Sequence, residues 1–223
     1  MIISVLTLFP EIFNPVLNSS ILLRAQKKNK LTIRLINIRD FAKDSHHSVD
    51  DKPYGGGVGM LLKIDVLYKA LQSAKIKKAK EKVILLDPTG RLFSQKKAKQ
   101  LSEFDHLILI CGHYEGVDSR INFFIDEKIS IGRYVLTGGE IPALTIVDAV
   151  TRLIPGVLEN PQATKEESYS NPKSVEPPQY TRPPVFKGRK VPEILLKGNH
   201  KKIEAWKKSF KGKGYSSPRE PLD

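Results

Sequence analysis

The sequence predicts an α/β fold, with a mostly parallel sheet flanked by helices and a small basic segment after it. Apolar runs of strand length alternate with amphipathic stretches of helix length as far as residue 154, which is the order that crossover connections produce. Two of the apolar runs pass directly into glycine, in ILICGHYEG at 108–116 and SIGRYVLTGGE at 130–140. Because strand ends of this kind line ligand crevices in parallel sheets, the sequence also predicts a binding site there.

The first part of the chain supplies two strands and the helix between them. The apolar run at 2–8 predicts one strand, and the alternating pattern at 31–36 predicts the second. Between them, Asn14 or Pro15 opens a helix that extends to about Ala25, since proline is well tolerated in a first helical turn.

The next stretch runs from a loop through a helix to a short strand. A polar, glycine-rich loop is predicted at 39–60, and a helix with one apolar face follows at 63–79. The apolar run at 83–86 predicts a buried strand. The turn signal Asp87-Pro88-Thr89-Gly90 comes directly after it and is expected to end it.

The remaining elements of this region surround the two glycine-marked strand ends. Ser94 is the expected cap of an amphipathic helix at 94–104, because its hydroxyl can accept a hydrogen bond from the first turn. Pro142 falls in the first turn of the last helix, where it is tolerated. The other elements are strands at 107–111 and 129–136 and helices at 117–124 and 140–154.

The composition of the sequence changes after Pro155-Gly156. Residues 158–190 are polar and rich in proline, as in a linker or an ordered loop. The stretch that follows is short, helical in pattern and dense in lysine. We therefore expect a first domain at 1–157, a linker at 158–190 and a small basic helical domain at 191–223.

The charge of the chain indicates a polyanionic partner. Lys and Arg number 37 against 24 Asp and Glu, for a formal net charge of +13, and such an excess is typical of proteins that bind nucleic acid. A generally lysine-rich proteome is the alternative explanation. The single cysteine excludes an intrachain disulfide and fits the reducing cytoplasm. No apolar run approaches the ~20 residues of a membrane span.

Two further motifs suggest ligands without identifying one. YGGGVGM at 54–60 lacks the third glycine of the dinucleotide fingerprint and the Gly-Lys-Ser/Thr of a P-loop. It is either a mobile loop or a loop whose bare backbone lies against a ligand. DSHHSVDD at 44–51 spaces histidine and aspartate four residues apart. Because no third ligand pattern appears, a solvated polar loop competes there with a metal site.

Six long blocks cover nearly the whole chain in a fixed order: LFPEIF, RDFAKDSHHSVDDKPYGGGVGM, ILLDPTGRLFSQ, LICGHYEGVDSRI, SIGRYVLTGGEIPALTIVDAVTRLIPGVL and YTRPPVFKGRKVPEILLKGNHKKIEAWK. Together they resemble the bacterial tRNA (guanine-N1)-methyltransferases of the SPOUT, or trefoil-knot, superfamily. Their length and mutual spacing make this resemblance far more specific than any single glycine run.

The resemblance implies a domain that contains a trefoil knot and binds S-adenosylmethionine. It also implies a homodimer whose active site lies at the subunit interface. The cofactor would lie against three loops, where glycines let backbone groups approach it. On this sequence those loops hold Leu85, Leu86, Asp87, Pro88, Gly112, Tyr114, Glu115, Gly116, Ser130, Ile131, Gly132, Arg133, Tyr134, Val135, Leu136, Gly138, Gly139 and Pro142.

The reaction that the resemblance implies is methylation of N1 of the guanine immediately 3′ of the anticodon in tRNA. N1 carries a proton, and the charge left by its removal collects on O6, so the reaction needs a general base and an electropositive partner. By similarity, Glu167 is the base and Arg152 stabilises O6, while the basic residues after 190 hold the anticodon stem-loop. Mg²⁺ is implied as a possible requirement, with no residue here that places it.

Two positions depart from the family pattern. Glutamate stands at Glu167 where aspartate is usual, and Glu166 beside it is an alternative base. Arg133 stands where aspartate is common and reverses a charge near the expected site. Two competing hypotheses follow: a knotted methyltransferase that acts on a ribose hydroxyl or another base, and a noncatalytic RNA-binding protein. The carboxylate loop disfavours the first, and the intact glycines disfavour the second.

Overall fold

The computed structural model describes residues 1–160, 164, 167–169 and 176–210. The chain divides into two compact units, Met1–Pro161 and Gln162–Asp223. The first unit holds the large sheet. The assignment of cofactor binding to 1–157 and of tRNA binding to 191–223 stays a prediction.

The first unit is built on a five-stranded sheet in which every neighbouring pair is parallel. Its strands are β1 (Ile2–Thr7), β2 (Thr32–Asn37), β5 (Glu81–Leu92), β6 (His106–Cys111) and β7 (Glu127–Ser130), and a small antiparallel pair is formed by β3 (Asp50–Asp51) and β4 (Leu61–Leu62). The strand order is β2-β1-β6-β5-β7, so the neighbouring strands β1 and β6 are separated in sequence by most of the unit.

Helices connect these strands and cover both faces of the sheet. The α-helices of the first unit are α1 (Asn14–Leu17), α2 (Ser20–Lys27), α3 (Ile64–Ala74), α4 (Gln95–Leu101) and α5 (Glu140–Thr151), and 3-10 helices span Pro10–Phe13, Ile38–Phe41 and Ser119–Phe124. The described part of the second unit contains a hairpin of β8 (Val185–Phe186) and β9 (Arg189–Lys190), followed by α6 (Glu193–Leu196) and α7 (His200–Lys208). The hairpin lies within the linker predicted at 158–190, and both helices lie within the range predicted for the small basic domain, 191–223.

The core consists of two apolar clusters on opposite faces of the sheet. On β6, Leu107, Leu109 and Cys111 belong to the cluster that includes α2, α4 and α5. Ile108 and Ile110 point to the other cluster, which includes α3. A strand that is buried on both faces reads as a continuous apolar run, which is why 107–111 was predictable. Cys111 is a core side chain, and burial raises the pKa of its thiol well above the ordinary value.

Two predicted strand ends are wrong, and both lie beside the binding site. Residues 87–90 do not end the third long strand: β5 continues to Leu92, with a register shift against β7 between Leu86 and Arg91. The turn-forming residues therefore make a bulge within the strand. The strand predicted at 129–136 ends at Ser130, because the Ser130 hydroxyl donates to the Gly132 carbonyl at 2.9 Å and starts a loop.

Three other predicted elements also differ from the structure. The helix predicted at 14–25 is divided into α1 and α2, because the chain turns at Ser20, whose φ is +45°. The helix predicted at 63–79 ends at Ala74, and the predicted loop at 39–60 includes β3. The cap at Ser94 is confirmed, since its hydroxyl accepts the Lys97 N–H at 3.3 Å. The trefoil knot stays a prediction.

Candidate active site

A cavity of about 380 Å³ lies at the carboxyl edge of the sheet, where ligands bind in parallel α/β folds. Its walls come from the bulge of β5 and from the segments that follow β6 and β7. The volume falls within the range of roughly 300–1,000 Å³ that is usual for small-molecule sites. Both glycine-marked strand ends of the sequence therefore meet at one cavity.

The segments after β6 and β7 are joined by their backbones. The Gly139 N–H donates to the Gly112 carbonyl at 2.8 Å, and His113 and Gly138 form an antiparallel bridge. A Cβ on Gly139 would lie 2.6 Å from the Cα of Cys111, a distance that real Cβ atoms do not reach. The glycine pair thus brings the start of α5 into contact with the end of β6.

The bulge of β5 is fixed against β7 by Asp87. Its carboxylate accepts the Thr89 N–H at 2.8 Å and the Thr89 hydroxyl at 2.6 Å, and Lys128 donates to it at 3.2 Å. Burial pushes the pKa of Asp87 upward, but these hydrogen bonds and the Lys128 charge outweigh it, so the pKa is lowered from its ordinary value. Asp87 is therefore an anion at the rim of the cavity at neutral pH.

The glycine-rich segment 54–60 lies against the outer side of the cavity wall. The Glu115 N–H donates to the Met60 carbonyl at 3.0 Å, and a Cβ on Gly59 would lie 2.3 Å from the Cγ of Glu115. Earlier in the segment, Tyr54 is 99% exposed and Val58 is 93% exposed. No residue of 54–60 lines the cavity, so the segment supports the wall and does not form it.

The cavity lacks the positive charge that the chain carries as a whole. Among the described lining residues none is lysine or arginine, although the formal net charge is +13, and the carboxylates are Asp87, which is paired with Lys128, and Glu115, which packs against Gly59. Glu140 occupies the first turn of α5, where a phosphate would otherwise bind to the helix N-terminus. The cavity is therefore suited to a cationic or neutral ligand and is poorly suited to a nucleotide phosphate.

The cavity brings together every position that was predicted for the cofactor except one. Arg133 is exposed and does not line it. The sequence reasoning missed five lining residues, although each is adjacent to a predicted one: Thr89, His113, Val117, Ile129 and Thr137. That the lining residues bind a cofactor stays a prediction.

The two predicted catalytic side chains lie in different units. Arg152 follows the last turn of α5, its N–H donating to the Asp148 carbonyl at 3.3 Å, and it is partly buried. Glu167 belongs to the second unit and is also partly buried. Glu166, the alternative base, lies outside the described residues. The roles of Arg152 and Glu167 stay predictions.

The histidine and aspartate motif at 44–51 forms a local turn. The Asp44 carboxylate accepts the N–H groups of His46 and Ser48 and the Ser48 hydroxyl at 2.9–3.2 Å. Hydrogen bonds from Ser48 are the main reason that the pKa of Asp44 is lowered. In the described part of the chain, no three His, Cys, Asp or Glu side chains are grouped as metal ligands, so no Mg²⁺ site is placed.

Comparison with known proteins identifies the family. The family described as tRNA (Guanine-1)-methyltransferase TrmD matches residues 1–220. A tRNA (guanine-N(1)-)-methyltransferase of Carboxydothermus hydrogenoformans is 56% identical over 207 residues, which are 92% of this chain and 81% of the relative. Proteins of the same name from Caldanaerobacter subterraneus and Staphylococcus aureus are 52% identical, over 93% and 92% of this chain and 86% and 83% of their own lengths. This chain belongs to the tRNA (guanine-N1)-methyltransferase family.

Proposed function

We propose that this protein methylates N1 of the guanine immediately 3′ of the anticodon in tRNA, with S-adenosylmethionine as the methyl donor. The family membership supports a tRNA (guanine-N1)-methyltransferase. The observation that carries the cofactor assignment is the glycine-walled cavity at the carboxyl edge of the sheet, whose described lining contains no lysine or arginine.

The residues of the cavity fit S-adenosylmethionine better than a phosphorylated nucleotide. When bound, S-adenosylmethionine supplies a methyl group on a positively charged sulfur. Because no described lining residue is lysine or arginine, no cationic side chain of the lining repels such a sulfonium. A Cβ on Gly112 would have no neighbour closer than 3.6 Å, and one on Gly116 would have none within 4 Å, so bare backbone is open to the cofactor at both positions.

The protein's part in the reaction is to move one proton and to stabilise one charge. We assign the guanine N1 proton to the carboxylate of Glu167, which would act as the general base. Arg152 would donate hydrogen bonds to O6, where negative charge develops as the proton leaves. The target guanine must also leave its stack to enter the site, as in other enzymes that modify bases.

The second unit supplies the positive charge that a tRNA backbone requires. Helix α7 carries Lys201, Lys202, Lys207 and Lys208. Lysines that neutralise phosphates release counterions and so increase affinity for nucleic acid. We propose that α7 binds the anticodon stem-loop.

A tRNA substrate also fits the cytoplasmic location expected from the sequence. No described helix is long and apolar enough to cross a bilayer.

A homodimer is the proposed working form. Around the cavity and the start of α5, the side chains of Leu92, Val135, Leu136 and Ile141 are apolar and exposed. Clustered exposed apolar side chains are typical of an interface. Sedimentation at micromolar concentration is expected to give twice the monomer mass of 25.1 kDa, and a monomer that methylates tRNA at full rate would exclude the proposed dimeric site.

Methyl transfer to defined transcripts tests the proposed function. Labelled S-adenosylmethionine would be mixed with an unmodified tRNA that carries guanine just 3′ of the anticodon, and with a twin that carries adenine there. We expect label in the first transcript only, at N1 of that guanine. Label in both transcripts, or on a ribose, would favour another target. Cofactor binding without transfer to either transcript would favour a noncatalytic role.

A further inference from the structure

We infer that Thr7 and Glu140 are positioning residues that hold one wall of the cofactor cavity in place. Neither side chain lines the cavity, and Glu140 is only 4% exposed. The inference rests on the proposed function, since it assigns these residues to S-adenosylmethionine binding. It also gives a role to LFPEIF, which begins directly after Thr7 and contributes no residue to the cavity lining.

The two residues are joined by a buried hydrogen bond that spans most of the unit. The Thr7 hydroxyl, at the carboxyl end of β1, donates to Glu140 Oε1 at 2.8 Å. The same hydroxyl oxygen accepts the Phe9 N–H at 3.0 Å. Thr7 thereby couples the backbone after β1 to the first residue of α5. Because both groups are buried, the bond is electrostatically stronger than one on the surface.

Glu140 reaches the cavity wall through Gly138. The position that a Cβ on Gly138 would occupy lies 2.3 Å from Glu140 Oε2 and 2.6 Å from His113 Nδ1. The carboxylate and the imidazole therefore flank Gly138 closely, and Gly138 lines the cavity. A rotation of the Glu140 side chain would release this packing and would break the hydrogen bond from the Thr7 hydroxyl.

A second contact from the same segment reaches the loop that follows β6. The ring of Phe9 packs on the ring of His113 with centroids 5.0 Å apart, and His113 packs edge-on against Tyr114, also at 5.0 Å. His113 and Tyr114 both line the cavity. The segment Thr7–Phe9 thus contacts the first residue of α5 through the Thr7 hydroxyl and the loop after β6 through the Phe9 ring.

A carboxylate costs more free energy to bury in a core than an apolar side chain of similar volume. Burying a charged group costs free energy unless it is well paired, and an apolar pair of similar volume usually stabilises the fold as well or better. A directional hydrogen bond provides what an apolar pair does not, a fixed orientation for the glutamate side chain. We therefore assign the Thr7–Glu140 pair to the geometry of the cavity and not primarily to stability.

The same strand provides a matched control. Ser4 is also fully buried on β1, and its hydroxyl lies 2.9 Å from Nε2 of the buried His106. Ser4 pairs with Ile108 near the start of β6 and contributes nothing to the cavity lining. Removal of either hydroxyl deletes one buried hydrogen bond from β1, but only the Thr7 bond leads to the cavity.

The test compares cofactor affinity with stability in three variants of the full chain. Thr7→Val is expected to weaken S-adenosylmethionine binding by roughly tenfold in calorimetry, because Glu140 is no longer held against Gly138 and the cavity wall loses its binding geometry. Thr7→Ser, which keeps the hydroxyl, and Ser4→Ala are expected to bind within about twofold of the wild type. A folded Thr7→Val protein with wild-type affinity would overturn the inference, and so would an equal loss in Ser4→Ala.

Glu140→Met, which keeps the length of the side chain but removes the oxygen that accepts from Thr7, provides a second route if Thr7→Val does not fold. We expect the KM for S-adenosylmethionine to rise while the KM for tRNA stays unchanged, whereas a merely structural role would lower the amount of active protein and leave both constants alone. Unchanged constants in folded Glu140→Met would overturn the inference. A wild type that binds S-adenosylmethionine without methylating guanine N1 would contradict the proposed function, while the binding data would still decide the positioning role.

Discussion

Gly139 and Gly112 face each other across one 2.8 Å hydrogen bond, yet the structure requires glycine at only one of them. A Cβ on Gly139 would lie 2.6 Å from the Cα of Cys111, which is backbone and cannot move aside. A Cβ on Gly112 would meet its nearest neighbour, the Leu86 carbonyl, at 3.6 Å, an ordinary contact. Gly139 is needed for the packing of the protein itself, whereas the backbone at Gly112 is open to a ligand.

The Gly139→Ala substitution is expected to damage both the fold and the cavity. Overpacking of this kind costs ~1–3 kcal/mol of unfolding free energy, and here it separates the start of α5 from the end of β6. We expect a lower midpoint in chemical denaturation together with loss of S-adenosylmethionine binding in calorimetry. Wild-type stability would show that α5 can shift without consequence and would contradict the account of this contact.

The Gly112→Ala substitution is expected to separate these two effects. Its Cβ would lie between Leu86 and Val117, both of which line the cavity, so it occupies space that a bound cofactor would use. We expect wild-type stability with S-adenosylmethionine affinity reduced by roughly tenfold or more. Unchanged affinity would mean that the cofactor does not approach this backbone.

Catalysis is expected to fail in Glu167→Gln while cofactor binding is retained. The amide cannot accept the N1 proton, and loss of a general base typically lowers kcat by ~10²–10⁴-fold. Glu176, an exposed glutamate in the same unit, provides the control Glu176→Gln, which is expected to keep the wild-type rate. Single-turnover methyl transfer would measure both. If Glu167→Gln reacts normally, the base is another group, and Glu166→Gln becomes the next variant to measure.

The loss of Arg152 is expected to slow the same step, removal of the guanine N1 proton, because the charge that develops on O6 is no longer stabilised. Arg152→Ala removes the proposed donors to O6, and removal of one such donor typically costs ~10²–10³-fold in kcat. Arg152→Lys keeps the charge but not the planar fork, so we expect only partial recovery. Full recovery by lysine would show that charge alone is needed at this position, and an unaffected Arg152→Ala would remove it from the mechanism.

Sequence pattern predicted the parts of this fold that depend on burial. The run at 107–111 is apolar because β6 is covered on both faces, and such a run has few alternative structures. The bulge at 87–90 was not predictable, because the same turn residues end a strand or interrupt it depending on the partner strand. Here β7 pairs with β5 on both sides of the interruption, a long-range fact that no local pattern contains.

The cavity shows the same division between local and long-range information. Glycines after two apolar runs predicted that a site lies at those strand ends, and the structure places both at one cavity. The Thr7–Glu140 contact joins residues 133 positions apart, so neither residue stood out in the sequence. Arg133 was expected among the lining residues but is exposed, although its neighbours Gly132 and Tyr134 line the cavity, and sequence alone does not show which side chains of a loop face a cavity.

Neutralising lysines on α7 is expected to weaken tRNA binding in a salt-dependent way. Lys201→Gln with Lys202→Gln removes two charges, and the slope of log K against log salt is expected to fall by about one per lost phosphate contact. A matched pair on the first unit, Lys27→Gln with Lys28→Gln, removes the same charge elsewhere. Equal slopes in the two double variants would show that net charge, and not α7, determines affinity. In both, S-adenosylmethionine binding is expected to stay unchanged.

His106 is expected to make the stability of the first unit depend on pH. Its side chain is fully buried, and burial is the main reason that its pKa lies below the ordinary 6.5, although nearby Glu81 partly opposes this and Arg34 reinforces it. Nδ1 approaches Glu81 Oε2 at 3.4 Å without forming a hydrogen bond. The folded protein therefore keeps the imidazole neutral at a pH at which the unfolded chain has already bound a proton.

The direction of the pH effect follows from that difference in proton binding. Above about pH 6.5 neither state is protonated at His106 and its contribution to stability is complete; as the pH falls below 6.5, the unfolded state gains a proton first and the free energy of unfolding decreases. His106→Gln cannot titrate and is expected to lose less stability between about pH 7.5 and about pH 5 in urea denaturation. His200→Gln, at an exposed site on α7, is the control and is expected to follow the wild type. If His106→Gln follows the wild type as well, the folded protein binds a proton at His106 over the same pH range as the unfolded chain. In that protonated form the Ser4 hydroxyl must accept from Nε2 and cannot donate to it.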